Sequence, residues 1–148
     1  MSYEYVSLLL SRSLAFMRHA REAAERGECD VACFMAEQAA QLGLKALALR
    51  LLGYVPRTHR IRELLGVVAE ALEGIGERDL AEAVRSLATS RRLSLRLLED
   101  AYTGGRYLMR LYDALDAEEC VRAAEEVLEV VRRVEERLSQ GGLHQAQG

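Results

Sequence analysis

A stretch from residue 29 to residue 53 decides the fold, and it reads CDVACFMAEQAAQLGLKALALRLLG. Apolar side chains occur almost all round the helix that this sequence would form, so the segment lacks the wide polar face of a surface helix. It predicts a helix that starts near Cys29, with Asp30 as its N-cap, and stops at Gly53. Such a helix has to be covered on several sides, either at the centre of a bundle or in a subunit interface.

The segments on either side show the three-and-four spacing of amphipathic helices. They predict a first helix from Tyr3 to Gly27, a third from about His59 to Glu73 capped by Thr58, a fourth from Leu80 to about Tyr102, and a fifth that starts at Asp116 with Glu119 as its capping-box partner. No useful length of chain alternates with period two. We therefore predict an all-α protein, an up-and-down antiparallel bundle of about five helices over residues 1–139, with a flexible tail at 140–148.

Length and composition fit one such bundle. The chain has 148 residues, of which 50% are hydrophobic and 29% are charged, and it contains one proline. Its net charge of −3 excludes a general attraction for nucleic acid or anionic membranes, so any basic function has to be local. Because no apolar run is long enough to cross a bilayer, we predict a cytoplasmic protein without membrane contact.

The cysteines give no sign of a disulfide framework or a metal site. Cys29, Cys33 and Cys120 are odd in number and lie inside helical patterns. Cys29 and Cys33 could pair as metal ligands, but no further cysteine or histidine lies at ligand spacing nearby, which favours buried free thiols. We expect no metal and no cofactor.

Positive charge is concentrated in two acid-free stretches. Residues 38–62 contain Lys45, Arg50, Arg57, Arg60 and Arg62, and residues 83–98 contain Arg85, Arg91, Arg92 and Arg96. The spacing of residues 85, 92 and 96 predicts one helical stripe of guanidinium groups. These cations have two interpretations. They could form surface ion pairs with glutamates of neighbouring helices, each worth about 0–1 kcal/mol, or they could form a phosphate-binding groove that the N-terminus of the third helix completes.

Residues 34–59 also carry a recurring family pattern. Ala-Glu-Gln-Ala at 36–39 is followed by Lys-Ala-Leu at 45–47, a glycine at 53 and the turn Pro-Arg-Thr-His at 56–59. Later in the chain, an acidic helix end precedes Tyr102 and the pair Arg106-Tyr107. Over about residues 5–138 the chain resembles HEPN domains, small all-helical domains of prokaryotes and eukaryotes that are linked to nucleotide and RNA biology.

The resemblance implies a homodimer with a groove between its subunits and a minimal nucleotidyltransferase as partner, in the manner of a toxin–antitoxin component. Together with the two acid-free stretches and the absence of the family's ribonuclease motif, it predicts a non-catalytic protein that binds a nucleotide, RNA or that partner. The predicted ligand-binding residues are Lys45, Thr58, His59, Arg85, Arg92, Tyr102, Arg106 and Tyr107, and the family-motif residues are Glu37 and Gln38.

Each of these residues also has a structural interpretation. Glu37, Gln41 and Lys45 lie four apart on one helix face and could form a hydrogen-bonded seam between helices. His59 could bond to an adjacent helix, and Arg106 could bond to carbonyl groups at the glycine break beside it. The sequence leaves both interpretations open.

Catalysis is not predicted, but one catalytic alternative stays open. Many HEPN domains are metal-independent ribonucleases in which four to six residues separate an arginine from the histidine that follows it, and no histidine follows Arg106 in that way. Arg12 and His19 have the spacing at a position that is wrong for the family, and His59 could act with Arg106. The alternatives are thus a ribonuclease with a non-standard Arg/His site and a helical dimer that only binds other proteins.

Overall fold

The structure is a computed structural model that describes residues 2–104 and 111–147, with side chains over 3–103 and 111–141. These residues form six helices: α1 (Ser2–Glu25), α2 (Cys29–Leu52), α3 (Ile61–Gly74), α4 (Arg78–Ser90), α5 (Arg92–Gly104) and α6 (Ala114–Gln147). The described part of the chain contains no strand, so the all-α prediction is confirmed. No helix in it has the length and apolar character that a membrane crossing requires.

Helix α2 is the central element, as its all-round apolar sequence predicts. It packs against α1, α3, α5 and α6. Six alanines of α2 have no exposed surface and let these neighbours approach its backbone closely: Ala32, Ala36, Ala39, Ala40, Ala46 and Ala48. Larger side chains such as Leu44 and Leu47 fill the remaining space and are equally buried. The whole core is therefore built around the stretch that decides the fold.

The C-terminus of α2 agrees with the prediction, whereas its N-cap does not. Gly53 adopts a left-handed φ of 83° and its N–H donates to the Leu49 carbonyl at 2.8 Å, which ends the helix as expected for a glycine C-cap. The prediction of Asp30 as the N-cap is wrong, because the helix starts at Cys29 and Glu28 is the capping residue. Asp30 lies in the first turn, where its charge still favours the helix dipole.

The predicted fourth helix is two helices, and this corrects the predicted arginine stripe. Helix α4 ends at Ser90 and α5 begins at Arg92, so Arg85 lies on a different helix from Arg92 and Arg96. The Arg91 guanidinium binds the Glu126 carboxylate of α6 with two hydrogen bonds. Beyond this anchor, Leu95 and Leu98 are completely buried. The free energy gained from these bonds and from burying these side chains outweighs the local preference for one continuous helix.

The other helix starts also differ from the sequence prediction. Helix α3 starts at Ile61 with Arg60 as its N-cap residue, so Thr58 does not cap it. At the start of α6 the reciprocal bonds join Asp113 and Asp116 at 2.8 and 3.1 Å, one turn before the predicted pair. Helix α6 continues past residue 139 to Gln147, and a flexible tail there stays a prediction.

Candidate functional site

A cavity of about 670 Å³ opens between the start of α3 and the second half of α5. Its lining residues are Thr58, His59, Arg60, Arg62, Arg96, Glu99, Asp100, Tyr102 and Thr103. Three predicted ligand-binding residues, Thr58, His59 and Tyr102, therefore come together here. Arg60, Arg62 and Arg96 belong to the acid-free stretches, but the sequence prediction did not select them as binding residues.

His59 connects this cavity to α2. Its Nδ1 lies 3.3 Å from the Nζ of Lys45 and 3.4 Å from the Oε1 of Gln41. On its flat side the imidazole stacks on the Tyr102 ring, with centroids 4.9 Å apart and an angle of 14° between the planes. The position of His59 is thus set by two helices that are distant in sequence.

Behind His59, a hydrogen-bonded seam runs along α2. The Glu37 carboxylate is completely buried and accepts hydrogen bonds of 2.8 Å from the side-chain amides of Gln38 and Gln41. The spacing of Glu37, Gln41 and Lys45 predicts a seam between helices as the structural interpretation of the motif. These two bonds lie within α2, so a seam between helices stays a prediction. The motif residues therefore support the site from within the core.

Lys45 is the single lysine of the chain and is half-buried beside this seam. Burial lowers its pKa below the ordinary value for lysine, while the negative charge of Glu37 raises it and so opposes part of that effect. Lys45 is thus coupled electrostatically to Glu37 on one side and bonded to His59 on the other.

Arg62 lines the cavity, but its guanidinium group mainly joins α3 to α5. Its guanidinium forms a two-pronged pair with the Glu99 carboxylate, with bonds of 3.0 and 2.9 Å, and its backbone N–H donates to the same carboxylate at 2.8 Å. These hydrogen bonds raise the pKa of Arg62. Glu99 therefore takes one N–H group at the N-terminus of α3, and the expectation that this helix end offers free N–H groups to an anion stays a prediction.

Thr58 stabilises the turn before α3. Its hydroxyl donates to Oε2 of Glu63 at 2.5 Å and accepts the backbone N–H of Arg60 at 3.3 Å. Thr58 is therefore at the cavity edge with its hydroxyl already engaged.

Arg60 and Arg96 are the more available cations of the cavity. The Arg60 side chain is 73% exposed and lies 3.7 Å from Oε1 of Glu63. Arg96 is exposed and forms no ion pair with the residues that the structure describes. Their guanidinium groups can meet an anion without first breaking a buried pair.

The remaining predicted residues lie elsewhere. Arg85 donates to Glu73 at 2.6 Å, as the ion-pair interpretation predicts, and neither it nor Arg92 lines the cavity. Arg106 and Tyr107 fall outside the described residues. The alternative pair Arg12 and His19 lies on α1, beside a pocket of about 110 Å³.

With this geometry established, comparison with known proteins identifies the family. The model of the HEPN domain matches residues 6–134. The chain belongs to the HEPN domain family. No curated protein matches it.

Two solved structures support the HEPN fold. TT1696 from Thermus thermophilus is 29% identical with a TM-score of 0.65, and the match covers 86% of this chain and 96% of that one. ST0689, described as an archaeal HEPN homologue, is 24% identical with a TM-score of 0.57, covering 86% and 94%. The predicted family resemblance and helical architecture are thus confirmed.

Proposed function

We propose that this HEPN protein binds the phosphate groups of a nucleotide or of RNA in the α3–α5 cavity, without catalysis. The observation that carries the proposal is the pair of exposed guanidinium groups, Arg60 and Arg96, beside the stacked rings of His59 and Tyr102. Guanidinium groups match phosphate oxygens in shape and charge. An aromatic surface next to them is suited to a nucleobase.

The charge of the cavity supports a local, salt-sensitive attraction. Its arginines outnumber its carboxylates, and the Glu99 carboxylate is occupied by Arg62. The acidic side chain of Asp100 remains at the edge of the cavity. Glu63 also lies 3.7 Å from Arg60, so the attraction for an anion comes from the exposure of Arg60 and Arg96 and not from a large net charge of the site.

Titration of the purified protein with ATP and with short single-stranded RNA, each at two salt concentrations, tests the proposal. If two phosphates of an RNA are neutralised, a fourfold rise in salt should weaken binding about sevenfold. The absence of binding to either ligand would rule out the proposal. Shortening of the RNA that disappears in His59→Ala would instead favour the ribonuclease alternative.

A second surface, a groove between α1 and α6, supports the formation of a homodimer. A groove of about 380 Å³ between α1 and α6 has an apolar floor that includes Leu10, Leu14, Met17 and Leu128. Leu14 is 62% exposed in this groove, and Tyr3, eleven residues earlier on the same face of α1, is exposed as well. A contiguous exposed apolar face of this kind is typical of a protein interface.

We propose a second copy of the chain as the occupant of this groove. The α6 wall carries Glu125, Glu129 and Glu135 together with Arg132. Each of these carboxylates already pairs within one copy: Glu125 with Arg21, Glu129 with Arg132 and Glu135 with Arg50. A two-fold axis parallel to the groove would place α1 of each copy over α6 of the other, so that the two apolar floors face each other.

Leu14→Glu should therefore convert a dimer into a monomer, because it places a charge in the apolar centre of the interface. Light scattering coupled to gel filtration measures the mass directly. Leu93→Glu is the matched control, since Leu93 is 80% exposed on α5 and does not line the groove. A wild-type monomer, or a dimer that survives Leu14→Glu, would contradict this interface. Co-expression with a minimal nucleotidyltransferase tests the other predicted partner.

A further inference from the structure

The two α2 side chains at Nδ1 of His59 demand opposite protonation of that nitrogen. The Lys45 ammonium, 3.3 Å away, can only donate a hydrogen bond, so it needs Nδ1 without a proton. The Oε1 of Gln41, 3.4 Å away, can only accept, so it needs a proton on Nδ1. A neutral imidazole can satisfy one of these neighbours at a time.

Glu37 fixes which end of the Gln41 amide faces His59. The buried Glu37 carboxylate accepts the amide N–H of Gln41 at 2.8 Å, and a carboxylate cannot bond to the amide oxygen in its place. Gln41 is itself buried, so water does not compensate for a reversed amide. Its oxygen is consequently held on the His59 side.

Charge decides between the two neighbours. A hydrogen bond from an ammonium group is about twice as strong as one between neutral groups, and the Lys45 contact is also the shorter of the two. Resting on the proposed phosphate site, we propose that Lys45 acts as a positioning residue that keeps neutral His59 protonated on Nε2, so that His59 meets a ligand as a hydrogen-bond donor and not as a base. A donor suits phosphate oxygens, which only accept.

The proposal also gives the family motif of α2 a role in ligand recognition. Lys45 would select the tautomer, and Glu37, acting through Gln41, would provide the acceptor to which Nδ1–H turns once Lys45 is gone. Replacing Lys45 by methionine, which keeps an unbranched side chain but no donor, should therefore move the proton of neutral His59 from Nε2 to Nδ1.

Nitrogen-15 NMR of the imidazole rings in the ligand-free protein measures this tautomer directly. The chain has three histidines, and His19→Asn and His144→Asn identify the His59 signals by elimination. At a pH of about 8, above the ordinary histidine pKa, wild-type His59 should show the Nε2–H tautomer. Lys45→Met should reverse the majority tautomer, Lys45→Arg should preserve it, and the exposed His19 should not respond.

An Nδ1–H tautomer in the wild type, or a Lys45→Met variant with an unchanged tautomer, would overturn the inference. Because no ligand is present in this measurement, its result is separate from that of the binding titration. A confirmed tautomer together with a failed titration would leave the positioning by Lys45 standing and remove only the proposed phosphate ligand.

Discussion

Replacing Arg60 and Arg96 together by alanine is expected to weaken binding of a phosphate ligand about tenfold or more and to reduce its salt dependence by the equivalent of two contacts. Both side chains are exposed at the cavity, and neither anchors one helix to another as Arg62 does through Glu99. The loss should therefore appear in affinity, while the thermal unfolding temperature stays near that of the wild type. Titration at two salt concentrations and a melting curve measure the two effects.

Arg78→Ala with Arg133→Ala is the matched control. These arginines are also exposed, lie on α4 and α6 away from the cavity lining, and change the net charge by the same amount. They should leave affinity nearly unchanged. If the control pair weakens binding as much as the Arg60 and Arg96 pair, the attraction comes from the overall field of the protein, and the cavity is not the site.

The central position of α2 could be predicted because it follows from the residues of the α2 segment itself. A helix with apolar residues on every face has no way to remain at the surface, and its few polar residues have to find partners inside. The spacing of Glu37 and Gln41 gives that partnership, and the structure shows it as a 2.8 Å bond. A four-residue spacing on one helix is information that a sequence contains directly.

The division between α4 and α5 could not be predicted in this way. The sequence around Arg91 contains no glycine or proline, so local propensity favours one continuous helix. The division follows from the pairing of Arg91 with Glu126, which is 35 residues away, and from the burial of Leu95 and Leu98. Long-range packing of this kind overrides a weak local preference.

The same reason explains why Arg85, a predicted binding residue, does not line the cavity. Continuing one helix through Arg91 places Arg85 and Arg96 on a common stripe, whereas the real chain directs Arg85 towards Glu73. Arg96 lies four residues before Asp100 on α5, so these two residues share one face of that helix. The stacking of His59 on Tyr102 joins residues on separate helices, and no local pattern encodes it.

Glu37→Leu should lower the free energy of unfolding by about 3 kcal/mol, because removing one member of a buried polar group leaves its partners unsatisfied. The amides of Gln38 and Gln41 would each lose the oxygen that accepts their 2.8 Å bond. Gln41 is buried, so water cannot restore the bond fully. Chemical unfolding in urea, followed by circular dichroism, measures the change.

Glu37→Gln separates the role of the oxygen atoms from that of packing. The glutamine has the same shape and keeps one acceptor, so one of the two amide bonds survives and the cost should fall to about 1 kcal/mol. Glu118→Leu, at an exposed position of α6, controls for the loss of a carboxylate as such and should change stability by less than about 0.5 kcal/mol. If Glu37→Leu proves as stable as this control, the buried carboxylate does not hold α2 and its amides in place. The tautomer of His59 would then depend on Lys45 alone, because the orientation of Gln41 would have no fixed support.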